Sequence, residues 1–263
     1  MKTPRPKKSW GQHFLQDRFV IDRIINDCPK DSQGILEIGP GAGALTAPLS
    51  KLGKPLVALE KDPRFAQVLS SHLGEGQLIP GCALECDYDK LIAASFEKGE
   101  RIWVVSNLPY QIAGPLTARL FSLPQVSAMT LMVQKEVGEK IHPPEGTKNR
   151  ASRLWALGQN YFHIKKLASV SPKAFFPAPK VESVVLSFRR RPSPSIPLRE
   201  FQKFQKFVGL LFAHKRKQIL SVLSPLYGRG PTSKILEEGG IPTTLRAEAL
   251  NLQRVQTLFK SLS

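Results

Sequence analysis

Cysteine is scarce in this chain: Cys28, Cys82 and Cys86 are the whole complement of 263 residues. Three is too few and too odd a number for a disulfide framework, so reduced thiols are expected. A zinc site at Cys82-x-x-x-Cys86 finds no obvious partner beyond His72, and no metal is expected. Long apolar runs are missing as well. No stretch approaches the ~20 uninterrupted apolar residues of a membrane span. The segment Met1 to Lys8 carries charge with no apolar core behind it, so neither a signal peptide nor a membrane anchor is expected, and no lipidation motif marks an end. These absences point to a cytoplasmic setting. No internal repeat occurs. Acidic residues are the last shortage: 21 Asp and Glu stand against 38 Lys and Arg, for a net charge of +17 and an isoelectric point near 10.0. Such an excess favours a polyanionic partner, with nucleic acid the default. Residues 199–263 hold +7 of that charge, so both parts of the chain are expected to touch the polyanion.

What is present is enough apolar material, 41% of residues, for a sizeable core. From Ile35 to about Phe188, β-branched runs alternate with helix-length amphipathic stretches, the pattern of a mostly parallel sheet covered by helices. Strands are predicted at Ile35–Ile38, Leu56–Glu60, Leu78–Ile79, Ile102–Ser106, Met129–Val133 and Ser183–Phe188. Helices are predicted at Ala44–Leu52, Pro63–Leu73, Ile112–Phe121 and Lys135–Ile141. Together they read as a doubly wound α/β domain. Three prolines and two serines within Arg190–Pro197 predict a break in regular structure. The expected organisation is therefore a domain over 1–190, a linker over 191–198 and a helical domain over 199–263. In the last, Phe201, Phe204, Val208, Leu211 and Phe212 recur at the spacing of a buried helix face. Further helices are expected at Lys234–Gly239, stopped by Gly239-Gly240, and at Leu245–Leu262.

Chemistry concentrates at the predicted strand ends. Glu37-Ile38-Gly39-Pro40-Gly41-Ala42-Gly43 follows the first strand, where an α/β sheet brings its backbone close to a nucleotide-like cofactor. The second strand ends in Glu60, at the distance where a carboxylate accepts from both ribose hydroxyls. A third strand region is read as ending in Asp87, in reach of an adenine amine. A nicotinamide dinucleotide would want Gly-x-Gly-x-x-Gly, but here the third glycine comes one position early and Glu37 would repel a pyrophosphate. S-adenosylmethionine carries no phosphate, and its positive charge suits a neighbouring carboxylate. After Ile102-Trp103-Val104-Val105 comes Asn107-Leu108-Pro109-Tyr110. Alone it is an ordinary turn sequence. Beside the other strand ends it can hold an amino-bearing planar ring, with the Asn107 carbonyl and main-chain carbonyls accepting and Tyr110 stacking.

With these motifs the chain resembles the KsgA family of small-subunit rRNA adenine dimethyltransferases over nearly its whole length. The resemblance also rests on Gly11-Gln12-His13-Phe14-Leu15, Gln134-Lys135-Glu136-Val137, Phe176-Pro177-Ala178-Pro179-Lys180-Val181-Glu182-Ser183, Phe212-Ala213-His214-Lys215-Arg216-Lys217 and Arg246-Ala247-Glu248. It implies a Rossmann-like class I methyltransferase domain with a small all-helical C-terminal domain. The implied activity is transfer of methyl groups from S-adenosylmethionine to N6 of two adjacent adenosines near the 3′ end of 16S rRNA, by a monomer acting within an assembling small ribosomal subunit. Carried over residue by residue, cofactor contacts fall on His13, Leu15, Gly39, Glu60, Asp87 and Asn107. The target-adenine site falls on Asn107, Leu108, Pro109 and Tyr110. Two departures stand out: His13, where many relatives have Asn, and Arg150-Ala151-Ser152-Arg153-Leu154, where a Tyr-Gly is usual. Lys7-Lys8, Arg189-Arg190-Arg191 and Lys215-Arg216-Lys217 are the expected phosphate grips. The alternatives are methylation of large-subunit rRNA and a non-enzymatic assembly factor; intact Glu60, Asp87 and Asn107 to Tyr110 weigh against the second.

Overall fold

Apolar runs cut by glycine and proline become the strands of a seven-stranded sheet, and the amphipathic stretches between them return the chain to its other edge. The computed structural model describes residues 4–7, 10–148, 150–214 and 217–262. In chain order the elements are β1 (Phe14–Leu15), α1 (Arg18–Ile25), β2 (Gly34–Ile38), α2 (Thr46–Leu49), β3 (Leu56–Glu60), α3 (Ala66–Leu69), β4 (Leu78–Pro80), α4 (Tyr88–Ser95), β5 (Ile102–Asn107) and α5 (Ala113–Phe121). There follow β6 (Val126–Gln134), α6 (Lys135–Ile141), α7 (Arg153–Tyr161), β7 (Phe162–Val170), β8 (Phe175–Phe176), β9 (Ser183–Arg190), α8 (Phe201–Leu211), α9 (Ile219–Tyr227), α10 (Arg229–Glu238) and α11 (Leu252–Leu262).

The sheet order is β4-β3-β2-β5-β6-β9-β7. Strands β4, β3, β2, β5 and β6 pair in parallel, and β9 runs antiparallel to β6. Every residue of β2 is buried, as are Ile102–Ser106 of β5, because crossover helices cover both faces of a parallel sheet. One core cluster gathers Ile35, Leu56, Trp103, Val105, Met132 and Val185. Beside it a chain of polar groups is paired. Trp103 Nε1 donates to Thr130 Oγ1 (2.9 Å), whose hydroxyl donates to Asp27 Oδ2 (2.5 Å). Ser187 and Arg189 close on the same carboxylate, with Arg189 Nη2 2.7 Å from Asp27 Oδ1.

The chain divides into two compact units, Met1–Gly138 with Ile164–Arg190, and Glu139–His163 with Arg191–Ser263. The second unit thus takes in residues 139–163, ahead of the expected boundary at 190. The reason is aromatic packing: Tyr161 at the end of α7 meets Phe201 (5.2 Å between centroids) and Phe204 (6.4 Å), and Phe204 meets Phe259 (5.1 Å). The expected linker is pinned rather than loose. Ile196 is fully buried, its carbonyl accepts from Asn160 Nδ2 (3.0 Å) and its N–H donates to Asn160 Oδ1 (3.2 Å). Arg246-Ala247-Glu248 also finds a purpose here, since the Glu248 carbonyl accepts the Ala151 N–H (3.0 Å) just before Ser152 caps α7.

The predicted strands fall within observed ones, and β6 starts three residues earlier, at Val126. The elements β1, α1, α4, α7, β7, β8 and α9 were not foreseen. Short α1 buries only Val20 and Ile24 and is set by its Asp17 cap, which leaves little periodicity to read. The cluster Arg189-Arg190-Arg191 does not offer three free cations. Arg189 serves Asp27, Arg190 donates to the carbonyls of Val126 and Leu123, and Arg191 donates to the Gln159 carbonyl. Of the other expected phosphate grips, Lys8, Lys215 and Arg216 lie outside the described residues.

Candidate active site

Neighbouring parallel strands end at the same edge, so the sheet order sets β3, β2 and β5 side by side with their C-terminal loops together. That edge carries a cleft of about 340 Å³ whose lining includes Gly39, Glu60, Asn107 and Tyr110. Residues 10–15 form another wall. They are held by the ladder Phe14↔Phe176 and Leu15↔Phe175 between β1 and β8. The N-terminal segment is tied down at a second point, where Gln12 Nε2 donates to Asp62 Oδ2 (3.1 Å) while the side-chain Oε1 of Gln12 accepts the Lys7 N–H (2.8 Å). Asp62 is buried and doubly bonded by Arg64, which holds its carboxyl well below the ordinary range.

The glycine turn leaves β2 with positive φ at Gly39 (+68°) and Gly41 (+52°), conformations that side chains disfavour. Gly41 N–H then donates to Glu60 Oε2 (2.9 Å) and Asp62 N–H to Glu60 Oε1 (2.7 Å). Burial still pushes the Glu60 carboxyl upward, against the pull of those two bonds. Glu37 is more extreme. It is 1% exposed, lines the cleft, and its Oε2 has no hydrogen-bond partner among the described residues. Burial, with Glu60 adding like charge, pushes it up to about 8, offset in part by the Thr46 hydroxyl alongside.

At the end of β5, Asn107 Nδ2 donates to the His13 main-chain carbonyl (3.0 Å). A carbonyl can only accept, so this bond fixes which end of the amide is donor and leaves Oδ1 as its acceptor. His13 Nδ1 donates to the Pro177 carbonyl (2.6 Å), and its ring stacks on Tyr110 with centroids 5.5 Å apart and planes at 25°. Tyr110 is fixed from its other end by Ser183, 2.9 Å from its hydroxyl. Burial pushes that hydroxyl up, so it stays neutral. The fold therefore gathers segments 11–15, 107–110 and 176–183 around one point, although they are far apart in the chain.

Of the expected residues, His13, Leu15, Gly39, Glu60, Asn107, Leu108, Pro109 and Tyr110 all line the cleft. Asp87 does not. The strand before it, β4, ends at Pro80, and Asp87 instead caps α4, accepting from Lys90 N–H (3.2 Å). The wall there is made by Gly81, Cys82 and Ala83. The turn Cys82–Cys86 between strand and helix carries no periodic signal that would have placed the strand end. Pro177, Gln12 and Asp62 acquire roles that spacing alone did not reveal.

The family described as ribosomal RNA adenine dimethylase matches residues 4–263. The chain belongs to that family. A ribosomal RNA small subunit methyltransferase A from Bacillus cereus (strain AH187) is 35% identical over 97% of this chain and 91% of its own length. The protein of the same name from Bacillus anthracis (strain CDC 684 / NRRL 3495) has the same identity and coverage. Among solved structures, the 23S rRNA methyltransferase ErmE is 25% identical with a TM-score of 0.71, over 95% of this chain and 99% of ErmE. A dimethyladenosine transferase from Plasmodium falciparum has a TM-score of 0.75 at 22% identity, over 94% and 97% of the two chains, and bears on the fold alone. This rRNA adenine dimethylase has the Rossmann-like methyltransferase fold, and the family's methyl donor is S-adenosylmethionine. The cleft fits that cofactor: Glu37 is buried, its Oε2 meets no hydrogen-bond partner among the described residues, and such a carboxylate is costly to ionise unless a cation meets it. Among the described residues no helix is long and apolar enough to cross a membrane.

Proposed function

We propose that this enzyme dimethylates N6 of two adjacent adenosines near the 3′ end of small-subunit rRNA, acting as a cytoplasmic monomer on an assembling small ribosomal subunit. The small-subunit assignment draws on relatives of that name at 35% identity, against 25% for the 23S enzyme ErmE. The observation that carries the site reading is the Asn107 amide, which the bond from Nδ2 to the His13 carbonyl orients so that Oδ1 remains as an acceptor for an amine.

Adenine N6 is a poor nucleophile because its lone pair is delocalised into the ring. Acceptance of its two protons by Asn107 Oδ1 and the Leu108 carbonyl favours a tetrahedral nitrogen and localises that pair. Tyr110, anchored on Ser183, fixes the plane of the ring. Catalysis here is positioning and preorganised electrostatics. Bound S-adenosylmethionine supplies an electrophilic methyl group on a positively charged sulfur. Glu37 is the counter-charge for that cofactor's amino group, and Glu60 accepts from its ribose hydroxyls. Gly39 and His13 complete the contacts with Leu15, which acts through its main chain because its side chain belongs to the core. Asp87 is proposed as a rim acceptor for the adenine amine, through lone pairs that Lys90 leaves open. The transferred methyl makes the N6 proton acidic, and water removes it.

The test is transfer of labelled methyl to small ribosomal subunits that lack the dimethylation, followed by digestion to nucleosides. Label in dimethyladenosine is expected. Label in large-subunit RNA alone would replace the substrate assignment. Asn107→Ala is expected to abolish transfer in a single turnover while salt-sensitive RNA binding persists.

A further inference from the structure

Five large hydrophobic residues are exposed among the described residues, and three of them, Phe19, Phe176 and Val181, lie on or beside the two segments joined by the β1–β8 ladder. Apolar residues exposed singly over a surface need no explanation, but one fixed on a ladder that walls an active site invites one. Phe176 is 58% exposed, and it is neither loose nor remote. Its backbone pairs with Phe14, the carbonyl of the next residue, Pro177, holds the His13 ring, and the His13 ring stacks on Tyr110. Directly opposed residues of an antiparallel pair project to the same face. Phe14 lines the cleft, so Phe176 stands on the face of the ladder that borders it. The alternate pair, Leu15 and Phe175, is buried in the core, which is why Phe176 cannot turn inward.

The charged residues of the segment that carries this ring are Lys173, Lys180 and the ion-paired Glu182. Lys173 and Lys180 flank the segment in sequence, both are exposed, and neither joins an ion pair among the described residues. Gln16 N–H donates to the Ala174 carbonyl (2.8 Å), which lays the start of α1 beside them. There Arg23 covers the exposed Phe19 ring at 5.0 Å. A fixed aromatic face bordered by free cations fits an unpaired nucleotide better than an apolar protein surface, because a base supplies a flat π-face and its phosphate meets the cations. The chemistry of the enzyme adds a need for one. An adenosine drawn into the cleft leaves its stack, and its neighbour loses a stacking partner.

We infer that Phe176 is a stacking platform for the nucleotide that adjoins the target adenosine, with Lys173 and Lys180 receiving its phosphates. This rests on the chain acting on rRNA adenosine and deepens that reading by placing the RNA on one side of the cleft. Phe176 touches neither the reacting atoms nor the cofactor, so it is a positioning residue.

Phe176→Ala, Phe176→Leu and Phe176→Trp decide it, assayed by single-turnover methyl transfer to unmodified small ribosomal subunits with cofactor Kd and Tm measured alongside. Phe176→Ala is expected to raise the subunit concentration at half-maximal rate by about tenfold, the lower part of the range for loss of one base–aromatic stack. Cofactor Kd and Tm stay unchanged, because the side chain is exposed. Tryptophan restores the wild-type value and leucine does not. Equal half-saturation for the alanine variant and wild type would overturn the inference, as would full rescue by leucine, which would mark an apolar protein contact. If wild type labels large-subunit RNA instead, the small-subunit reading fails separately, and the ranking of the same variants on that RNA still decides the platform.

Discussion

Glu37 is buried with its Oε2 unpaired among the described residues, and its proposed role as counter-charge to the cofactor's amino group makes a measurable prediction about pH. In the folded chain the carboxyl holds its proton up to about pH 8, whereas unfolding returns it to its ordinary value of 4.5. Between those values the unfolded state binds fewer protons, so stability is fully present below pH 4.5 and is lost as pH rises towards 8. The slope from this group approaches ~1.4 kcal/mol per pH unit, or about 3 kcal/mol lost by pH 7. Glu60 is shifted in the same direction and is present in both wild type and Glu37→Gln, so the difference between their curves reports Glu37 together with its like-charge coupling to Glu60. Denaturant unfolding of both proteins from pH 5 to 8 is the assay. The variant is expected to lose most of the slope and to gain on wild type as pH rises.

Cofactor binding supplies the second arm. A cationic amino group favours the carboxylate, so at pH 7 Glu37 gives up about 0.9 proton and the cofactor's amine takes up about 0.1–0.2, a net release of about 0.8. Affinity then rises up to tenfold per pH unit from 6 towards 8 and flattens where the cofactor's own amine, with an ordinary value of about 7.7–8.0, begins to titrate. Titration calorimetry in two buffers of different ionisation enthalpy reads the proton count directly. Parallel stability curves for wild type and Glu37→Gln, or equal proton release by both, would refute the reasoning.

Other perturbations separate site from scaffold. Arg189→Ala leaves the Asp27 carboxylate without its cation partner and is expected to cost about 2 kcal/mol in denaturant unfolding; it should barely change the salt dependence of RNA binding, and a marked fall in that slope would restore Arg189 as a phosphate grip. Tyr110→Phe keeps the ring and loses the Ser183 bond, so single-turnover transfer should fall less than tenfold, on the scale of about 1 kcal/mol for a neutral hydrogen bond, while Tyr110→Ala falls by far more; equal losses would mean the hydroxyl and not the stack matters. Asp87→Asn keeps a competent helix cap and Asp87→Ala does not, so only the alanine variant should lower Tm, whereas both should weaken cofactor binding; unchanged affinity in both would reduce Asp87 to a cap.

Much of the site was legible because glycine, carboxylate and Asn-x-Pro-aromatic motifs sit at the ends of apolar runs, and a parallel sheet brings such ends to one edge. That logic placed Gly39, Glu60 and Asn107 together, and it failed at Asp87. There the chain leaves β4 at Pro80 and makes a turn through Cys82–Cys86 before the helix begins, and nothing in hydrophobic period marks where a short edge strand stops. The basic run Arg189-Arg190-Arg191 misled for a related reason. Charge is visible in sequence, but whether a guanidinium meets phosphate or its own chain's carbonyls depends on which turns pack beneath it.

By itself the sequence determined the α/β class, the aromatic core face of α8, the basic partner preference and the family, since local period, composition and ordered motifs are properties of the chain read in one dimension. Only the tertiary structure decided the rest. It brought Pro177 and Ser183 onto His13 and Tyr110, left Glu37 Oε2 unpaired among the described residues, joined residues 139–163 to the C-terminal helices and turned Phe176 outward. Each of these depends on contacts between segments far apart in the chain, whose closure is set by packing and hydrogen-bond pairing rather than by any local preference.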